Sequence, residues 1–261
     1  MKTRLQRYKS RFSKRGFTNL LVRVLPKDVL KSLAKSMTRY DEELVTRTVR
    51  PSHRKWDTNL LPERVSGFED LTFLFWTTPL NRNVLMVDFD EAAALYKLVK
   101  GLPSNAQGVE IGRMVGGSTV LIAAALAHSG GRLVSIDVAP RNDEQLRLVL
   151  SQLGLAEHVE LIVADSNCVE LAEPLDFVFI DGRHSYSAVK CDHLRWGRLV
   201  KAGGYVIHHD MGNSRPNATC KPALSQLKRD IVHHQGKELE LVQEVGSLVI
   251  FRRVSDAWTA F

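Results

Sequence analysis

Cysteine is scarce in this chain: three in 261 residues, at Cys168, Cys191 and Cys220, with no paired spacing. An odd, sparse set argues against a disulfide framework and fits a reducing compartment, with all three read as ordinary thiols. Long apolar runs are also missing. Nothing approaches the roughly 18 consecutive apolar residues that a membrane-spanning helix needs. Near the N-terminus, FTNLLVRVL is interrupted by Asn19 and Arg23, so a secretory signal is not expected. An Arg-rich, acid-poor start also fits an organellar transit peptide, but nothing else in the sequence supports one. Internal repeats and low-complexity tracts are absent. Acidic residues are short in one place only. Residues 1–55 hold 16 Lys and Arg against 4 Asp and Glu, whereas the remainder holds 20 against 25. The net charge of +7 therefore belongs to an N-terminal arm. Such an arm suits anionic lipid, nucleic acid or an acidic partner, and equally a solvated, partly disordered extension.

The rest of the composition is ordinary, with 44% hydrophobic and 25% charged residues, enough to bury a core without disulfide or metal staples. The expected plan has three parts. Residues 1–60 form the basic extension, with a short amphipathic helix at 26–38. Residues 61–103 form a helical cap or lid, with helices near 67–76 and 89–100. Residues 104–261 form the main domain. The apolar stretch at 67–100 also offers surface for a homo-oligomer contact.

From residue 104 strands and helices alternate. QGVEIG, RLVSID, HVELIVAD, LDFVFID and GGYVIHHD read as strands, with STVLIAAALAHSGG, NDEQLRLVLSQLGL and SYSAVKCDHLRWGRLV as helices between them. ALSQLKRDIVHHQ is a further helix. LELVQEV and SLVIFRR then follow, with only a tight turn at Gly246–Ser247 between them. The alternation predicts an α/β fold: a Rossmann-like, doubly wound, seven-stranded, mostly parallel sheet with an antiparallel last strand.

Ligands of such sheets bind beyond the carboxyl ends of the strands. The residues expected there are Glu110–Gly112, Asp137, Asp165, Asp181 and His209–Asp210. One acidic residue alone can serve as a helix cap, but a carboxylate after nearly every strand marks a polar ligand rim. The loop GVEIGRMVGGSTV lacks the G-x-G-x-x-G spacing that brings backbone close to a pyrophosphate, because Arg113 and Met114 fill that place. It suits a ligand whose lone carboxylate meets the helix N-terminus at Gly117–Ser118. Asp137, 25 residues after Gly112, can accept both hydroxyls of a ribose, and Asp165–Ser166 can reach an adenine amino group.

These features resemble class I S-adenosylmethionine-dependent methyltransferases over about residues 67–253. The loop E-I-G-x-x-x-G-G-S-T, Asp137, the A-D-S at 164–166 and the seven-strand ending carry the resemblance. The stretch FVFIDGRHSYSAVKCDHLRWGRLVKAGGYVIHHDM is similar to the group of cephalosporin-hydroxylase-type proteins and of macrolide sugar and rhamnosyl O-methyltransferases. The resemblance implies S-adenosylmethionine as cofactor, held by Glu110, Gly112, Gly116, Ser118, Asp137, Asp165 and Ser166. It implies a divalent metal, Mg or Mn, on Asp181, His209 and Asp210, with His184 as general base and Asp181 beside it. One departure stands out: the family's acidic pair reads His209–Asp210 here, and Met211 replaces the Asn of catechol-type enzymes. Imidazole suits Zn, Mn or Fe better than Mg.

The expected function is O-methylation of a hydroxyl on a sugar, glycolipid or other small polyhydroxyl acceptor, by a cytoplasmic protein whose basic arm can rest on an anionic membrane. Two rivals remain, a non-catalytic Rossmann-like binding protein and an NAD-dependent oxidoreductase; the glycine spacing and the final hairpin oppose the latter. A nucleic-acid methyltransferase is not expected, since I-D-G-R-H stands where an N/D-P-P-Y/F motif would follow the fourth strand. Of the adjacent His208 and His209, only one can face the site in a strand, and His209, next to Asp210, is the expected one. The pair His233–His234 reads as surface.

Overall fold

A computed structural model describes residue 56 and residues 58–75, 84–171, 174–213 and 221–261. The chain divides into two units, Met1–Pro51 and Ser52–Phe261, and every described residue lies in the second. The expected helix at 26–38 and Cys220 lie outside the described residues.

Helix α1 (Phe89–Lys100) is followed by β1 (Gln107–Ile111), α2 (Gly117–Ala127), β2 (Arg132–Asp137), α3 (Asp143–Gln152), β3 (Val159–Val163) and β4 (Leu175–Ile180). Then come α4 (Tyr186–Gly197), β5 (Val200–His208), α5 (Pro222–Gln235), β6 (Leu239–Val245) and β7 (Leu248–Arg253). The seven strands lie in the order β3-β2-β1-β4-β5-β7-β6. β1 to β5 pair in parallel, and β7 inserts antiparallel between β5 and β6. This is the expected fold, down to the reversed last strand.

Burial alternates along the central strands with the period of two that a pleated sheet imposes. Phe177 and Phe179 enter one core, together with Leu95, Ala123 and Val149 of α1, α2 and α3. Val178 and Ile180 enter the other, with Trp196 and Leu227 of α4 and α5. The same alternation runs through β5: Ile207 belongs to the first core and Val206 to the second. It is this alternation that later separates the two adjacent histidines.

Two elements differ from expectation. FEDLTFLF forms a 3-10 helix, Phe68–Phe75, and not an α-helix. Its buried side chains are Leu71, Phe73 and Leu74. The Asp70 carboxylate accepts from the backbone N–H of Ser66 and Gly67 and fixes the entry. Strand β5 begins at Val200, three residues before the expected Gly203. Val200 faces Leu175 while Tyr205 faces Phe177, so the strand bulges between them.

Candidate active site

The carboxyl ends of five strands form one continuous edge. Across it the Gly112 N–H donates to Ile136 O (2.8 Å), Ala164 N–H to Asp137 O (3.0 Å), Asp181 N–H to Ile111 O (2.8 Å) and His209 N–H to Ile180 O (3.1 Å). Asp137, Asp165, Asp181 and Asp210 therefore stand along a single rim.

The loop after β1 is held from beneath. Gly112 has φ +90°, and a Cβ there would collide with the backbone of Asp181 and Gly182, so the first and fourth strand ends can approach only through glycine. A Cβ on Gly117, the first residue of α2, would strike the backbone of Val84 and Leu85, which therefore lie over the helix start. Gly116, at φ +92°, turns the chain into that helix. The backbone N–H groups of this first turn remain the element suited to a carboxylate.

Glu110 takes a different place from the one expected. It is fully buried, and its carboxylate accepts from the hydroxyls of Ser118, Thr119 (2.6 Å) and Ser135 (2.6 Å). It ties the loop and α2 to β2 from within instead of reaching for a ligand, and Ser118 spends its hydroxyl on the same clamp. Burial raises the Glu110 carboxyl above its ordinary range, against the pull of those hydroxyls.

Asp137 ends β2 with its carboxylate in the rim. Oδ2 accepts from Met114 N–H (2.9 Å) and Oδ1 from Ala139 N–H (3.0 Å). An ionised carboxylate has further lone pairs, so both oxygens can still accept from a ribose. Asp165 is exposed and caps the short 3-10 turn Ser166–Cys168 through Asn167, whose hydrogen bonds lower its carboxyl. Ser166 points inward, donating to Asp192 Oδ1 at 2.6 Å. Burial pushes the Asp192 carboxyl up to about 6.

The acceptor end is built from Asp181, His184, His209 and Asp210. His184 Nε2 lies 3.3 Å from Asp181 Oδ1 and 3.4 Å from Asp210 Oδ2. Asp210 has φ +58°, a strained value for a residue with a side chain, and lies 3.8 Å from Lys221 Nζ. His209 is buried between two carboxylates: Nδ1 is 3.2 Å from Asp181 Oδ1 and Nε2 is 3.3 Å from Glu91 Oε2. Burial works against charge on the His209 ring, but Asp181, Glu91 and Asp210 outweigh it and raise its pKa well above the ordinary imidazole value. Burial likewise works to raise Glu91 and Asp181, and their hydrogen bonds and charged neighbours hold each at about 2. His208 lies on the opposite face, against His193.

The expected metal set of Asp181, His209 and Asp210 does converge, but as ion pairs. Among the described residues no group of three or more His, Cys, Asp or Glu is disposed to hold a metal ion. Both nitrogens of His209 lie within hydrogen-bonding distance of a carboxylate, Nδ1 of Asp181 and Nε2 of Glu91.

Three residues escaped the reading of the sequence. Arg113 is buried beneath the loop in a bidentate pair with Asp143 (2.9 and 2.5 Å) and donates to Ser135 O and Ile162 O. Glu91 reaches His209 from α1. Asp192 holds Ser166. The Asp88–Glu91 spacing of a capping box signals a helix start, but not the partner across the sheet.

Residues 109–211 match the model of a family described as a methyltransferase domain. A catechol O-methyltransferase of Mycobacterium tuberculosis is 29% identical over 114 residues, covering 42% of this chain and 50% of that protein. The match thus spans about half the length of this curated relative. Among solved structures, an O-methyltransferase from Bacillus cereus in complex with SAH superposes with a TM-score of 0.52 at 21% identity, over 82% of this chain and 96% of that one. TomG from Streptomyces achromogenes, an O-methyltransferase involved in tomaymycin synthesis and solved with SAM, gives 0.53 at 18% identity, over 83% and 96%. Likenesses at these identities establish the fold, and the domain match falls on the stretch from β1 to the end of the rim at Met211.

Proposed function

We propose that this protein, a class I S-adenosylmethionine-dependent methyltransferase by fold and by the domain it matches, methylates a hydroxyl oxygen with His184 as the base. The observation that carries this reading is His184 Nε2, shared between Asp181 and Asp210 on the rim beside the Gly112–Gly117 loop.

S-adenosylmethionine supplies a methyl group on a positively charged sulfur that leaves as a neutral thioether. The donor's carboxylate suits the N-terminal turn of α2, and its ribose suits Asp137. The difficulty then lies with the acceptor, since a hydroxyl is a weak nucleophile until its proton is taken. Asp181 and Asp210 favour the tautomer with hydrogen on Nε2 of His184, which leaves Nδ1 to receive that proton. The two carboxylates then stabilise the imidazolium that forms. Alignment of oxygen, methyl and sulfur contributes much of the remaining acceleration.

The acceptor is a sugar or other polyhydroxyl compound, a reading supported by the likeness of the I-D-G-R-H-S-Y stretch at 180–186 to sugar O-methyltransferases. The similarity to a catechol O-methyltransferase favours a second reading, a phenolic acceptor. Metal assistance is left out of this reading, because no group of described residues is disposed to hold a metal ion. The expected attachment of the basic arm to an anionic membrane, and homo-oligomer formation through residues 67–100, stand as further parts of the proposal.

The test is calorimetry with adenosylhomocysteine, followed by methyl-transfer assays on a panel of sugars, glycolipids and catechols. His184→Ala is expected to lower turnover by about 10²–10⁴-fold while leaving cofactor affinity intact. His233→Ala, on the exposed side of α5, serves as the control. Binding of NAD without adenosylhomocysteine would reject the reading.

A further inference from the structure

We infer that Asp192 sets the direction of the Ser166 hydroxyl proton, so that Ser166 meets the cofactor's base only as an acceptor and the site selects a purine with an amino group at C6 over one with an oxo group. This inference rests on the reading of the rim as an S-adenosylmethionine site, and it deepens that reading at the adenine end.

The argument concerns a single proton. Ser166 Oγ lies 2.6 Å from Asp192 Oδ1. A hydroxyl has one hydrogen and two lone pairs, whereas an ionised carboxylate only accepts. The hydrogen therefore lies toward Asp192, and the short separation is that of a charge-assisted bond. Ser166 is 8% exposed and Asp192 5%, so little water reaches the pair to compete for that hydrogen. What Ser166 Oγ offers a ligand is lone pairs.

Placement ties the pair to the base. Ser166 follows Asp165 in the turn after β3, and Asp192 comes from α4. A Cβ on Gly182, just past β4, would have Ile111 Cγ2 (3.4 Å) and Asp192 Oδ2 (3.8 Å) as its nearest neighbours. Asp192 thus stands between the turns that follow β3 and β4. On the adjoining strand β2, Asp137 suits the ribose, and Val138 beside it leaves an apolar side chain exposed for a base to lie against. Asp165 adds a second acceptor. It is held by Asn167, which accepts from the Cys191 thiol (3.0 Å), so two consecutive residues of α4 grip the turn. An amino group at C6 donates to these oxygens, while an oxo group there meets only lone pairs. Asp192 acts through Ser166, as a positioning residue for specificity.

The test is calorimetry on the full chain at pH 8 with S-adenosylhomocysteine and S-inosylhomocysteine, which differ at C6. The wild type is expected to prefer the amino compound. That preference should fall about tenfold in Asp192→Asn, whose amide can donate to Ser166 and release its proton. Ser166→Ala removes the same group without touching the buried charge, and should lose preference by a similar factor. Adding Asp192→Asn to Ser166→Ala should then change the preference no further. Thermal melting checks that each variant folds. Burial raises the Asp192 carboxyl to about 6, with Asp165 adding to the rise and Ser166 and Arg183 opposing it. The wild-type preference should therefore decline as pH falls from 8 through 6, where the protonated carboxyl becomes a donor, and should stay level in Ser166→Ala. Weaker binding of both ligands at an unchanged ratio is the mark of a merely structural role and would overturn the inference alone. Binding of neither ligand by the wild type would reject the methyltransferase reading, and this inference with it.

Discussion

His193 and His208 form a neutral pair inside the core, with His193 Nδ1 3.1 Å from His208 Nε2. Their protons can be placed by tracing the neighbours. Gln235 donates its amide to Thr259 O, so its Oε1 faces His193 Nε2 (2.6 Å) and must accept from it. His193 Nδ1 is then an acceptor, and His208 Nε2–H is the donor. His208 Nδ1 is left buried, with no hydrogen-bond partner among the described residues.

That arrangement predicts acid sensitivity in a defined window. Burial lowers both histidines, His193 to about 4, below the unfolded value of 6.5. The unfolded chain binds protons first as pH falls, so stability declines from pH 6.5 toward 4. His193 alone accounts for about 3 kcal/mol by pH 4. Below about pH 4.5 a second loss begins, because Glu91 and Asp181 are held near 2 and stabilise the fold only while ionised. Urea denaturation at pH 8, 6, 5 and 4 measures both windows. His193→Gln should shrink the upper one, to which His208 still contributes, and leave the lower one in place.

Arg113→Met should destabilise the protein by about 3–5 kcal/mol, because it leaves Asp143 as a buried charge without its partner. The same change removes the donor to Ser135 O and Ile162 O. Equilibrium denaturation would show the loss as a lower midpoint. A midpoint equal to wild type would mean the guanidinium carries no stabilising role.

Glu110→Gln should cost about 1–3 kcal/mol, since an amide offers one accepting oxygen where three hydroxyls now donate to two. Its effect on cofactor affinity should be indirect, through a loosened loop. Binding measured on the folded fraction should therefore fall less than stability does. A large loss of affinity at unchanged stability would place Glu110 in contact with the ligand instead.

Asp137→Asn tests the rim directly. The substitution keeps the volume but loses the charge and one acceptor. Calorimetry should show adenosylhomocysteine affinity reduced by about 10–100-fold, the worth of a hydrogen bond to a charged group. Unchanged affinity would remove Asp137 from the ribose site.

Much of the site was legible because its signals are local. The loop glycines and the polar residue after each strand follow from turn chemistry and from the periods of strand and helix. Two residues, Glu110 and Ser118, were read as facing the ligand and instead face inward. Their position at a strand end and a helix start was clear from sequence. The side chains they meet, Thr119 and Ser135, were set by how α2 lies on β2.

The amino-acid order by itself determined the alternation of strands and helices, the reversed seventh strand and the line of carboxylates along one edge, because each depends on residues close in the chain. Only the tertiary structure decided which face of β5 met which helix. Packing of α1 on one side brought Glu91 to His209 across 118 residues, while α4 on the other brought His193 to His208. No periodicity in a single sequence encodes such a pairing, since it depends on which element covers each face of the sheet. That choice placed an imidazole between the carboxylates of Asp181 and Glu91, at the corner where the sequence suggested a metal.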